Sequence, residues 1–165
     1  MDDAEFVSDY LPKYTGGEHL HMLQMLAALE PADLLRVTLA AEAAGELDPG
    51  PEMACWVFLN RARRGLCGAT ITQCCLWYAQ VSSFWDDLPK RQEAIMAEMH
   101  SPTTRLAAAV DRAMTADAEG RLGDDLTGGA YFYYNPSVCQ PSWAKGMQIT
   151  RWFGRHCFLT DQLPN

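Results

Sequence analysis

Glu42 and Glu46 stand out among the residues able to do chemistry. Around Glu42 the apolar residues recur at helical spacing, and Leu35, Thr38 and Leu39 share its side of such a helix. A carboxylate on an apolar stripe is either paired or working. Desolvation raises its proton affinity, and a general acid needs that proton near neutrality. Glu46, one turn further along the same side, would push the two proton affinities apart. The competing reading is a solvent-facing Glu42, or one paired with Arg61 or Arg63.

A second group is aromatic: Trp77, Tyr78, Phe84 and Trp85, then Tyr131, Tyr133 and Trp143. Aromatic faces suit the apolar faces of sugar rings, while Asn60, Gln80 and Asn135 can hydrogen-bond hydroxyl and acetamido groups. Alternation along an extended segment puts Tyr131 and Tyr133 on one side, Phe132 and Tyr134 on the other. One pair then lines a surface while the other packs the core. Rival chemistries lack their signatures: there is no GxSxG elbow, no glycine-rich phosphate loop and no HExxH helix. A nucleophilic pair such as Cys139 with His156 stays open. Zinc at Cys67, Cys74, Cys75, His156 and Cys157 is disfavoured, because no CxxC pair exists and adjacent cysteines suit a tetrahedral site poorly. The six cysteines read as reduced, small buried hydrophobes.

Helices are expected over 18–30, 34–45, 49–64, 89–99 and 102–117, with a short one at 70–76. Pro31 separates the first two, Asp33 caps the second, Gly45 ends it, and Pro49 opens the third. Residues 65–88 read as an ordered loop, 130–134 as a strand and 147–158 as holding one more. The expected class is mainly α (α+β), with a small β element near the C-terminus. No repeat divides the chain. No apolar run approaches the roughly 20 residues of a membrane span, and a net charge of −8 argues against nucleic acid.

Five segments then agree in order with one family. Residues 34–46, ending Ala40-Ala41-Glu42-Ala43-Ala44-Gly45-Glu46, resemble the "A-x-x-x-Y-x-E-A-x-G-E" opening of the SleB-type cell wall hydrolases, a group of spore-cortex-lytic, bacterial and phage enzymes. Residues 53–61, ending Leu59-Asn60-Arg61, are similar to "V-x-x-V-x-L-N-R". Thr70-Ile71 and then Gln80-Val81-Ser82-Ser83-Phe84-Trp85 look like the "Q-F-S-x-W" stretch. The segment from Thr127 to Pro136 is the most similar, followed by Trp143 and Gly154-Arg155-His156-Cys157-Phe158. The agreement spans 33–159; Ala41, Ala44 and Val81 depart from the family's Gly, Arg and Phe.

The resemblance implies a lysozyme-like, lytic-transglycosylase-like helical domain over 33–165, preceded by an N-terminal extension with one helix over 1–32. It implies cleavage of the β-1,4 bond between N-acetylmuramic acid and N-acetylglucosamine in peptidoglycan glycan strands. Glu42 would be the acid and then the base, closing a 1,6-anhydro ring without a carboxylate nucleophile. Glu46 would be auxiliary, and Asn60, Gln80, Ser82, Trp85, Tyr131, Tyr133 and Asn135 would hold the glycan. No cofactor or metal is implied. The start, Met1 to Glu5, lacks a secretory layout, so the expectation is a chain made in the cytoplasm that reaches the wall after release or delivery, with phage-particle or lysis-system partners. The acidic charge gives no steering toward an anionic wall. The alternative is a non-catalytic glycan-binding or virion structural protein that keeps the fold.

Overall fold

The computed structural model describes residues 1–78, 80–85 and 88–161; the side chains of 82, 83 and 88–90 lie outside that description. The fold is mainly α with a three-stranded antiparallel sheet toward the C-terminus.

Helix α1 (Asp3–Glu5) is set by a capping box, in which the Asp2 carboxylate accepts from the Glu5 N–H and the Glu5 carboxylate from the Asp2 N–H. The chain continues through a π-turn (Phe6–Tyr10) and a 3-10 turn (Leu11–Lys13) into α2 (Gly17–Ala27). This segment is docked on the body. Asp3 Oδ1 accepts from Thr70 Oγ1 at 2.7 Å and from Gln73 Nε2 at 2.8 Å. Phe6, fully buried, stacks on Tyr10 and Trp77 with centroids 4.8 and 5.9 Å away.

Helix α3 (Pro31–Glu42) starts one turn earlier than the periodicity suggests. Pro31 occupies the first turn, where its missing N–H costs nothing, and Glu30 is the N-cap. Asp33 therefore does not cap the helix; it sits in the first turn and accepts from Arg36 Nη2 at 3.0 Å. Leu34, Leu35, Val37, Thr38, Leu39 and Ala41 are all buried, so α3 is packed nearly all round, as a central helix must be. It ends at Glu42, because Ala43 leaves helical geometry at φ −131°, well before Gly45.

Helix α4 (Gly50–Arg64) is buried from Gly50 through Arg61 and stops at Gly65, whose φ of +68° is the left-handed cap that glycine adopts without strain. The expected short helix is α5 (Ile71–Leu76), capped by Thr70 Oγ1 accepting from the Gln73 N–H. Within the expected loop there is one further turn, α6 (Ser82–Trp85). Helices α7 (Leu88–His100) and α8 (Thr104–Ala118) follow, and α8 turns Leu106, Ala109, Val110, Ala113 and Ala116 onto α3 and α4.

The region expected to hold one strand holds two. Strand β1 (Phe132–Tyr134) pairs with β3 (His156–Thr160), which pairs with β2 (Gln148–Phe153), giving the order β1-β3-β2. Gly154, at φ +56°, makes the turn between β2 and β3. Through Met53, Val57, Ala130 and Phe158 the sheet packs on α4.

Candidate functional site

Glu42 is the last residue of α3, where the helix opens onto a groove of about 700 Å3. One wall is the edge strand β1 with Phe132, Tyr133, Tyr134 and Asn135; Trp143 and His156 extend it, and Gln80, Val81, Arg61 and Arg91 stand around the remainder. Trp143 leans on Phe132 and meets Tyr134 edge-on, with centroids at 5.2 and 5.7 Å, so three rings form a continuous aromatic flank. Against the chain's net charge of −8, this groove brings together two arginines.

Tyr133 stacks on Phe158 at 5.7 Å and meets the His156 ring edge-on at 5.6 Å. Burial pushes its phenol well above the ordinary value, and the nearby Glu42 charge adds to the rise. Tyr133 therefore keeps its proton at physiological pH and remains a donor in the groove.

Glu46 reaches the same place by a different route than expected. Since α3 stops at Glu42, Glu46 is not one helical turn further on; it belongs to the loop that leads to α4. Arg105 of α8 clamps that loop, donating to Glu46 O at 2.8 Å, Ala44 O at 2.7 Å and Asp48 Oδ1 at 3.0 Å. The Glu46 carboxylate stands 3.3 Å from His156 Nδ1, and Glu42, Glu46, Tyr133 and His156 border one narrow cleft.

The other expected substrate residues divide. Gln80, Tyr133 and Asn135 line the groove. Asn135 Oδ1 is engaged locally, accepting from the Ser137 N–H and hydroxyl. Tyr131 does not line it. It precedes β1, so strand alternation does not relate it to Tyr133; it is 1% exposed, and its hydroxyl accepts from the Asp161 N–H. Trp85 packs against His19 and Tyr78 at 5.5 and 5.1 Å, among the rings that hold the N-terminal segment. The Ser82 side chain lies outside the described residues.

Asn60 is a framework residue. It is 3% exposed, donates to Asp125 Oδ2 and Ala130 O at 2.8 Å each, and accepts from Arg63 Nη1 at 2.7 Å. Together with Asp125, which also accepts from Thr127 and Gly129, it shapes the turn that delivers β1. Asn60→Ala should therefore cost about 1–3 kcal/mol of stability, the price of stranding buried partners. Denaturant unfolding would measure that loss.

Arg63, offered above as a partner for Glu42, pairs instead with Asp117. Arg61 shares the groove with Glu42; its Nε donates to Tyr131 O at 2.7 Å and its guanidinium lies over Phe58 and Phe132. All six cysteines are free. Cys55, Cys74, Cys75 and Cys157 are buried, whereas Cys139 is exposed on the groove wall that also carries His156. Burial pushes the Cys74 and Cys75 thiols up to about 12, which leaves them poor nucleophiles and poor metal ligands. Among the described residues no group of three or more His, Cys, Asp or Glu is placed to hold a metal ion.

Arg105 is missed in the sequence, His156 is weighed there only beside Cys139 or as a zinc ligand, and which pair of β1 aromatics faces the surface is left open. Arg105 acts through contacts with residues almost sixty positions away, so no local pattern marks it. The family model for cell wall hydrolases matches residues 45–159, which include Glu46, Tyr133 and His156 and begin just past Glu42. No curated protein and no solved structure matches the chain.

Proposed function

Because the chain belongs to the cell wall hydrolase family, we propose that it cleaves peptidoglycan glycan strands at the β-1,4 bond between N-acetylmuramic acid and N-acetylglucosamine. The observation that carries this reading is the position of Glu42, at the end of α3 where it opens onto a groove flanked by Phe132, Tyr134 and Trp143. The flank gives sugar rings apolar faces to lie on, and Gln80, Asn135 and the protonated Tyr133 supply hydrogen-bonding groups beside them. Arg61 and Arg91 offer positive charge to the carboxylates that wall glycans carry.

In this reading Glu42 protonates the glycosidic oxygen as the bond to C1 breaks through an oxocarbenium-like state. Its carboxylate then takes the proton of the C6 hydroxyl, which closes onto C1 as a 1,6-anhydro ring. This is the lytic transglycosylase route on a lysozyme-like scaffold, and one carboxyl group is enough for it. The test is incubation of purified peptidoglycan with the protein, followed by turbidity and mass analysis of released fragments. Clearing with muramic acid ends lighter by one water is the expected result. Wall binding without clearing would make the chain a glycan-binding or virion structural protein that keeps the fold.

A further inference from the structure

We propose that Glu46 and His156 form a second proton-handling couple that activates a water beside Glu42, so that hydrolysed, reducing ends are released alongside anhydro ends. The inference rests on the reading of Glu42 as the acid.

Glu46 is held more tightly than a surface loop carboxylate needs to be. Arg105 fixes its backbone oxygen. Gly50 approaches so closely that a Cβ there would fall 2.7 Å from Glu46 Cβ, so the start of α4 tolerates only glycine against this side chain. Glu46 Oε1 faces His156 Nδ1 at 3.3 Å. A carboxylate only accepts, so this approach is favourable when the His156 ring carries a proton on Nδ1. The other oxygen, Oε2, faces Gly154, where a Cβ would stand 3.0 Å away. Glycine at that turn leaves Oε2 open on one side. Both side chains keep a share of water contact, 25% for Glu46 and 19% for His156. One oxygen thus stands beside a ring nitrogen, and the partly exposed side chain borders the same cleft as Glu42.

In the hydrolytic branch Glu42 gives its proton to the glycosidic oxygen as the C1–O bond breaks. A water oxygen forms the new bond to C1, and its proton moves to Glu46 Oε2 while the His156 Nδ1–H stays on Oε1. Glu42 ends as a carboxylate and Glu46 as an acid. Proton exchange with solvent restores both, and one water is consumed per bond. Glu46 is then a catalytic residue, and His156 is a positioning residue acting through it.

The experiment digests purified peptidoglycan with wild type, Glu46→Gln and His156→Gln and counts reducing and anhydro ends by mass. Wild type should release both. Glu46→Gln should lower the ratio of reducing to anhydro ends by about 10²-fold or more, the usual weight of a general base. His156→Gln should move the ratio the same way by a smaller factor. Circular dichroism identifies any variant that fails to fold, in which case the other supplies the ratio. Anhydro ends alone from wild type, or a ratio unchanged in both variants, or equal loss of both products, would overturn the couple. Failure of the Glu42 reading looks different: Glu42→Gln would then still release fragments.

Discussion

Glu42→Gln is expected to slow the clearing of purified peptidoglycan by about 10²–10⁴-fold, the contribution of a positioned general acid, and to leave the fold intact. Glutamine keeps the shape and the capacity to accept a hydrogen bond, but it has no proton to give to a leaving oxygen. The fold should tolerate the change for a reason specific to this site. Glu42 is partly exposed and is the last residue of α3, where a negative charge opposes the helix dipole. Removing that charge relieves its opposition to the dipole, and glutamine keeps the size and the accepting oxygen of the side chain. Circular dichroism should therefore show the folded helical spectrum of wild type. A Glu42→Gln protein that clears walls at the wild-type rate would move the acid elsewhere, and Glu46 would be the first residue to test in its place.

The helices that depend on local signals were legible. Pro31 and Gly65 punctuate the chain where the sequence places them, and the short helix beginning after Thr70 carries its own cap. Errors arose where a local rule met a tertiary one. Extending α3 to Gly45 put Glu46 on the helix, whereas Ala43 ends it and Arg105 draws the following loop aside. Tyr131 and Tyr133 were paired by alternation, but β1 begins only at Phe132. The same limit hides the meeting of His156 with Glu46. The two are brought together by the β2–β3 turn packing against the start of α4, and no spacing in the chain encodes it. Asn60 shows the converse: an amide within a helix of apolar residues is as well suited to fixing a turn as to holding a sugar, and Asp125 and Ala130 claim it first.

The largest expected effect on stability lies away from the groove, at Glu98. Arg36 of α3 donates to Glu98 Oε1 and to its backbone oxygen, each at 2.6 Å, and both residues are buried, with 6% and 4% exposure. Thr103 adds its N–H and hydroxyl to the same carboxylate at 2.8 and 2.5 Å, so α7 and the start of α8 are tied to the central helix through one side chain. Glu98→Ala removes the counter-charge and leaves the Arg36 guanidinium largely out of water, with Asp33 as its remaining partner. Breaking a buried pair in this way costs about 3–5 kcal/mol, which urea denaturation near neutral pH would measure. The pair also fixes a pH dependence. Burial alone would raise the Glu98 carboxyl, but the Thr103 and Arg36 hydrogen bonds outweigh it and hold the group below its ordinary 4.5. A depressed folded-state value means that the unfolded chain binds the proton more tightly. The stabilisation is then complete above the ordinary value and is lost as pH falls through the folded one. Wild type should lose stability across that acid window more steeply than Glu98→Ala, so the two unfolding curves should converge as the pH drops. A gap that stays constant from neutral to acid would show that Glu98 acts through its volume alone, and a neutral-pH loss under about 1 kcal/mol would place the pair in the range of exposed ones.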